Sequence, residues 1–200
     1  MNYPTSLKSL IDSFKLLPGI GEKTAERLSL AVLAMDLEKA KKFSDSINDV
    51  KTKIKKCSVC HNLTEDEICN ICKDTDRESS TICVVEHPKD VILFENIGTF
   101  NGKYHVLDGL ISPLDGINPE DLNINNLVKR VEEDNIKEII IAVTSSIEGE
   151  TTALYISKLF ENTGVIVSKI AHGVPIGTNM EYIDALTLEM ALEDRKKLSN

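Results

Sequence analysis

The sequence contains no tryptophan and few aromatic residues of any kind. Aromatic residues make up only 4% of the 200 residues, whereas hydrophobic residues as a whole make up 42%. A folded core must therefore be built mainly from isoleucine, leucine and valine. No apolar run approaches the roughly 20 residues that a transmembrane helix requires, so we expect a protein that does not span a membrane.

Two other signals are missing. Residues 1–5 lack a basic region followed by an apolar stretch, so we expect no secretory signal peptide and a cytoplasmic, thiol-reducing location. The sequence also has no G-x-x-x-x-G-K-[ST] phosphate-binding loop, which leaves nucleotide hydrolysis without its usual motif.

The charge is unevenly distributed along the chain. The net charge is −9, but residues 1–56 hold eleven Lys and Arg against seven Asp and Glu, a net +4, which leaves −13 for the rest. A polyanion is therefore expected at the N-terminal end. A lysine-rich helix face is also commonly just solvated, so charge alone does not decide the point.

Four of the five cysteines form two C-x-x-C pairs, Cys57 with Cys60 and Cys69 with Cys72, separated by eight residues. Each C-x-x-C turn directs two thiolates at one point, and zinc prefers four such ligands in a tetrahedron. This spacing predicts a structural zinc site within residues 54–76. Disulfides or free thiols are the alternative, and disulfides fit a reducing compartment poorly. Cys83 lies in a strand-like segment and is expected to be a buried thiol.

The first 53 residues are predicted to be helical. Apolar spacing predicts helices over residues 6–17, with Ser6 as N-cap, over residues 22–35, and over residues 36–53. Pro18 ends the first helix. Gly19 and Gly21 permit a tight turn, and Ile20 between them can enter the apolar gap between two helices.

This helix–turn–helix segment resembles the helix-hairpin-helix DNA-binding motif. Glycines without a Cβ atom bring backbone N–H groups to the surface at a helix N-terminus, where an anion is favoured. Lys23 and Arg27 are four residues apart, so they share a helix face and can reach neighbouring phosphates. We therefore predict sequence-nonspecific, salt-sensitive DNA binding by Gly19, Ile20, Gly21, Lys23 and Arg27. An ordinary helical hairpin with a glycine-rich turn is the alternative.

Strand and helix patterns alternate in the rest of the chain. This alternation predicts a mostly parallel α/β sheet, covered on both faces, within a domain of residues 78–175. A final segment, residues 176–200, is predicted to end in a helix and looks somewhat like a Walker B segment. The predicted strands are 81–85, 104–107, 139–143 and 165–170; the predicted helices are 87–96, 122–133 and 150–162, the last capped by Gly164; residues 110–121 are predicted as loop.

Acidic residues stand where the predicted strands end. Glu86 ends the first strand, Asp90 lies one helical turn beyond it, and Glu148 and Glu150 follow the third strand. Functional groups in parallel sheets collect at the carboxyl ends of strands. We expect three or four of these carboxylates to converge, where they could hold Mg²⁺. Acidic residues at a helix N-terminus are also explained by the helix dipole alone.

This part of the chain resembles a Toprim fold, the α/β domain of primases and of type II and IA topoisomerases. The resemblance implies Mg²⁺ held by one Glu and an Asp-x-Asp pair, with Glu86 in the first role. Glu148-Gly149-Glu150 departs from Asp-x-Asp, and the longer side chains misplace a metal that requires near-octahedral geometry. We therefore predict no enzymatic activity. A Mg-dependent Toprim nuclease or primase-like enzyme is the alternative.

The order of segments along the whole chain resembles the RecR family of recombination mediators. The most specific segments are Leu17-Pro18-Gly19-Ile20-Gly21, the two cysteine pairs, Glu148 to Ala153, and Glu181-Tyr182-x-Asp184. Thr178-Asn179 stands where family members usually carry Gly-Asp or Gly-Glu.

The family resemblance implies a role in DNA repair and recombination. It implies action with RecO and RecF to place RecA on single-stranded gaps, and ring-like homotetramers whose helix-hairpin-helix elements face double-stranded, gapped or single-stranded DNA. It also implies that RecO contacts the Toprim region, where Glu86, Asp90, Glu148 and Glu150 would meet a basic partner. A protein adaptor that never touches DNA is a further alternative.

Overall fold

The computed structural model describes residues 3–171 and 173–197, and the chain divides after Ile54 into two compact units. In the described part of the chain, no helix combines the length and apolar character that crossing a membrane would require. The first unit is helical, as predicted. Its elements are α1 (Thr5–Lys15), α2 (Glu22–Leu33) and α3 (Leu37–Lys53).

Helices α1 and α2 pack against each other as a hairpin. Ile11 of α1 and Ala25 of α2 are buried between them. Helix α1 starts one residue before Ser6, with Pro4 at its N-cap position, so the predicted cap is wrong. Ala31 of α2 is exposed.

Helix α3 is longer than its neighbours and packs little within the first unit. Asp36 caps it by accepting a hydrogen bond from the backbone N–H of Lys39 at 2.8 Å. None of the residues 37–53, all of which the structure describes, is buried. The apolar stripe that periodicity predicted on this helix therefore remains without a partner inside its own unit.

The second unit begins with a small knuckle followed by a parallel sheet. Antiparallel strands β1 (Lys55–Lys56) and β2 (Leu63–Thr64) and a one-turn helix α4 (Asn70–Lys73) form the knuckle. The sheet strands are β3 (Thr81–Val85), β4 (Lys103–Val106), β5 (Glu138–Ala142) and β6 (Ile166–Lys169), paired in the order β4-β3-β5-β6. Every pairing within this four-stranded sheet is parallel, which confirms the predicted fold class.

Helices connect the strands much as predicted. They are α5 (Pro88–Ile97), α6 (Ile124–Glu133) and α7 (Ile147–Phe160), and α8 (Ala185–Glu193) follows the sheet. Helix α7 begins three residues earlier than expected, at Ile147, so Glu148 and Glu150 both lie inside it. Its C-cap is Glu161, so the predicted cap Gly164 is wrong. Gly164 instead occupies a left-handed position, with φ of 80°, in the turn before β6. Residues 110–121 contain two short 3-10 turns and one isolated bridge between Ser112 and Ile117.

Strand β3 supplies side chains to both faces of the sheet. Ile82 and Val84 belong to the larger apolar cluster, under α6 and α7, whereas Cys83 and Val85 belong to the smaller one, under α5. The alternation follows from the two-residue period of a strand. Burial raises the pKa of the Cys83 thiol to about 12, so this cysteine is an inert core residue, as predicted.

A buried lysine joins the knuckle to the sheet. Lys103 begins β4, is only 7% exposed, and donates from Nζ to the carbonyl oxygens of Ile71 at 2.9 Å, Cys72 at 3.4 Å, and Asp74. At the other end of β4, the backbone N–H of Val106 donates to the carbonyl of Cys60 at 2.9 Å. The knuckle is thus built onto strand β4 by hydrogen bonds from the sheet.

We expect Lys103→Met to destabilise the second unit. Methionine keeps an unbranched side chain, one atom shorter than that of lysine, but donates no hydrogen bond, so three partly buried carbonyls lose their donor, at a cost of about 3 kcal/mol. Urea unfolding of the zinc-loaded protein, followed by far-UV circular dichroism, measures the change in free energy of unfolding.

Lys137→Met is the matched control, because Lys137 is exposed. Its free energy of unfolding should change by less than about 0.5 kcal/mol. Equal stability of the Lys103 and Lys137 variants would contradict a linking role for the buried ammonium.

Candidate functional site

The four paired cysteines converge on one point in the knuckle. Their sulfur atoms lie within 4.8 Å of one another, and the Cys60 and Cys69 sulfurs are 3.5 Å apart. Sulfur ligands at about 2.3 Å from a tetrahedral zinc ion are roughly 3.8 Å from each other. The donor set and its spacing therefore fit zinc, with four thiolates and no coordination position left for a substrate.

Backbone N–H groups donate hydrogen bonds to two of these sulfurs. The backbone N–H of Cys69 donates to the Cys57 sulfur at 3.3 Å, and that of Cys72 donates to the Cys69 sulfur at 3.4 Å. Hydrogen bonding from the Cys60 thiol, followed by that from Cys72, lowers the pKa of Cys69. Three of the four cysteines are buried, and Cys72 is half-buried. The bound ion supplies folding energy to a knuckle with little regular structure.

The turn between α1 and α2 exposes backbone. Gly19 has a φ of 79°, a left-handed conformation that favours glycine, while Gly21 is extended and forms the N-cap of α2. A Cβ atom built on either glycine meets no described atom within 4 Å. Gly21 is therefore not required by packing within the first unit, where the space above the N-terminus of α2 is open. Ile20 between them is half-buried.

Two cations on α2 lie beside this turn. Lys23 and Arg27 are exposed and occupy helix positions four residues apart. Neither belongs to an ion pair among the residues that the structure describes. Lys15, which the sequence did not single out, pairs with Glu22 at 2.6 Å, and that hydrogen bond raises the pKa of Lys15. The negative charge of Glu22, the acid closest to the turn, is thereby balanced by Lys15.

Glu86 and Asp90 at the end of β3 already have internal partners. The Thr144 hydroxyl donates to Glu86 Oε2 at 2.6 Å, and His87 Nε2 lies 3.1 Å from Glu86 Oε1. Asp90 Oδ2 accepts from the backbone N–H of His87 at 2.8 Å, which caps the first turn of α5. One carboxylate is held beside the sheet and the other is used as a helix cap.

Glu148 and Glu150 both lie inside the first turn of α7. Because residues two apart on a helix do not face each other, these side chains point to different sides. Glu150 accepts from Lys169 Nζ at 2.6 Å and 2.9 Å. Within residues 3–171 and 173–197, the cysteines form the only group of three or more metal-type ligands. The predicted convergence of three or four carboxylates is therefore not present.

Sequence reasoning missed the residues that position the acidic side chains at the carboxyl end of the sheet. Gly149 is one of them, because a Cβ atom there would lie 1.8 Å from the Thr144 carbonyl oxygen, so α7 can start at this point only with glycine. Thr144 follows β5 and Lys169 ends β6, and neither belongs to a recognisable motif. The Glu148-Gly149-Glu150 pattern could have suggested close packing, but nothing local points to Lys169.

Asp184, the second acidic residue of Glu181-Tyr182-x-Asp184, is a helix cap. Asp184 accepts from the backbone N–H of Thr187 at 2.9 Å and from its hydroxyl at 2.7 Å. The hydrogen bond from the Thr187 backbone lowers the pKa of Asp184. Thr178 and Asn179 are exposed and lie between a turn at residues 176–177 and a 3-10 turn at Met180–Tyr182. The segment thus uses its acidic residue to start α8.

We expect Cys57→Ser to lose zinc and Cys83→Ala to keep it. The first change removes one of four converging sulfurs, whereas the second removes a thiol of the sheet core. Zinc content measured by plasma mass spectrometry on purified protein should fall from one ion per chain towards none in Cys57→Ser only. Limited proteolysis near residues 55–74 should accelerate in parallel. A full complement of zinc in Cys57→Ser would contradict the assignment.

Known families account for nearly the whole chain. A Toprim domain matches residues 80–171, and three further matches are RecR segments: the helix-hairpin-helix (7–51), the zinc finger domain with four cysteines (54–74), and the C-terminal segment (173–196). They follow the order of the segments described above, confirm structural zinc in the knuckle, and fit a non-catalytic mediator of DNA repair and recombination. The chain belongs to the RecR family.

Proposed function

We propose that this chain binds DNA without sequence preference through the Gly19–Gly21 turn and the adjoining face of α2. The observation that carries the proposal is the open backbone at the N-terminus of a 12-residue helix, beside two cations with no acidic partner among the described residues. Helix N-termini favour anions because their first N–H groups lack intrahelical acceptors. A phosphate oxygen is the anion that DNA offers there.

Lys23 and Arg27 extend this contact along the phosphate backbone. One helical turn separates them, about 5–6 Å between Cβ atoms, so both can reach phosphates near the one held at the turn. Contacts of this kind carry no sequence information. The proposed complex is therefore sequence-nonspecific and weakens as salt rises.

We propose that the chain assembles into a homotetramer, with the first units forming part of the contacts between copies. The support is the apolar surface that these helices leave exposed, including Leu37, which is 86% exposed. The exposed set is Leu16, Leu17, Leu30, Leu33, Leu37, Phe43, Ile47 and Val50. Patches of this kind mark protein interfaces. Several weak phosphate sites on one assembly gain affinity through avidity.

We further propose that the assembly acts in the cytoplasm with RecO and RecF to help load RecA on single-stranded gaps. The acidic edge, defined as Glu86, Asp90, Glu148 and Glu150, is the proposed contact for a basic surface of RecO. The charge distribution supports this division, because the chain is basic up to residue 56 and acidic beyond it. We propose that the chain has four domains, with bounds at residues 1–53, 54–76, 78–175 and 176–200.

We expect Lys23→Glu combined with Arg27→Glu to weaken DNA binding. Loss of two phosphate contacts should lower the slope of log affinity against log salt by about two per bound copy. Affinity for gapped duplex near 0.1 M salt should fall by roughly tenfold or more. Fluorescence anisotropy over a salt series measures both quantities.

The control is Lys129→Glu combined with Lys158→Glu, two exposed lysines of α6 and α7. It changes the net charge of the chain by the same amount but leaves the turn intact. Equal losses in the two double variants would show that only the overall charge matters. Unchanged affinity in the α2 variant would instead favour an adaptor that does not touch DNA.

We expect Glu150→Lys to impair binding of purified RecO more than binding of DNA. The substitution places a second ammonium next to Lys169 and reverses charge on the acidic edge. Glu133→Lys, an equal charge change on the exposed side of α6, should leave RecO binding within about twofold, as surface changes away from a contact usually do. Calorimetry with RecO is the measurement. Identical RecO affinities for the two variants would remove the acidic edge from the proposed contact.

A further inference from the structure

The Toprim resemblance implies Mg²⁺ at the carboxyl end of the sheet, and the side chains at that end do not fit it. Glu86 is held by Thr144 and His87, and Asp90 caps α5. Glu148 and Glu150 stand on different sides of α7 because both are inside the helix. A small divalent ion needs several oxygens directed at one point. The negative charge of these carboxylates therefore has to be balanced by another cation.

Lys169 is placed to do so. It is the last residue of β6, the strand that pairs with β5, and it lies in register with Ile141. Its side chain therefore emerges at the carboxyl end of the sheet, where α7 begins. Nζ lies 2.6 Å from one oxygen of the Glu150 carboxylate and 2.9 Å from the other. The lysine side chain is 30% exposed, so the pair is partly shielded from water.

An ammonium in this position competes directly with a metal ion. It makes hydrogen bonds to both oxygens of Glu150, so a metal that approaches either oxygen meets a positive charge already held there. A metal held by neighbouring acids would also be repelled by the lysine charge, an effect that increases as water is excluded. An ammonium needs no octahedral shell, so the single carboxylate of Glu150 is a sufficient partner for it.

We propose that Lys169 is the built-in cation of the acidic edge and that it prevents divalent metal from binding there. The edge is then a fixed arrangement of protein charges whose state does not depend on the metal concentration. This inference concerns the chain alone and does not rest on DNA binding or on RecO.

Binding of Mn²⁺ to full-length, zinc-loaded protein tests the proposal, with the free ion measured by electron paramagnetic resonance. Zinc loading keeps the four cysteines occupied. The compared proteins are wild type, Lys169→Met, Lys169→Gln, Lys169→Arg and Lys158→Met, the last being the same change at an exposed lysine of α7. Zinc content and thermal melting establish that each variant is folded, and the glutamine variant serves if the methionine variant is not.

Loss of the ammonium releases the Glu150 carboxylate, and waters can complete the shell of an ion held by this one side chain. The neutral variants should therefore bind one Mn²⁺ per chain at least tenfold more tightly than wild type. Lys169→Arg and Lys158→Met should behave as wild type. Adding Glu150→Gln to the neutral variant should abolish the gain, whereas Glu150→Gln alone should leave wild-type Mn²⁺ binding unchanged. A gain of less than tenfold, a gain that survives Glu150→Gln, or an equal gain in Lys158→Met would each overturn the proposal.

Discussion

Burial of strand β3 on both faces is the constraint on which the second unit depends. Its residues alternate between two apolar clusters, and it pairs with β4 on one side and with β5 on the other. Each fully buried valine or isoleucine contributes about 1.5–3 kcal/mol relative to an exposed one. The knuckle is attached to β4, and the acidic edge begins where β3 ends. Both features are therefore positioned by the same buried strand.

The acidic edge is stabilised by the protein's own donors. Glu86 accepts from a hydroxyl, Asp90 from a backbone N–H, and Glu150 from an ammonium. Such bonds hold carboxylates in fixed positions, whereas metal-assisted chemistry needs them to converge with an open coordination position. An edge built this way suits recognition of a basic surface, in agreement with a family architecture that fits a non-catalytic mediator.

The sequence predicted the elements better than the site. Strand β3 has the predicted bounds because a short run rich in β-branched residues is typical of a strand buried on both faces. The cysteine spacing identified the knuckle because the ligands are close in sequence. The acidic edge depends on contacts between residues far apart, such as Glu86 with Thr144 and Glu150 with Lys169, and on a helix that starts at Ile147. A shift of three residues at a helix end turned a predicted cluster into diverging side chains.

The first unit has a part in both the proposed assembly and the proposed DNA binding. A segment of about 50 residues is marginal on its own, because too little of its surface is buried. Here the buried residues of the helices are few, and α3 has none among its described positions. Contacts between copies would then stabilise the same helices that present Gly19–Gly21. Because anything that binds only the folded state stabilises it, the proposed DNA complex would strengthen the assembly, and the assembly would in turn supply several phosphate sites at once.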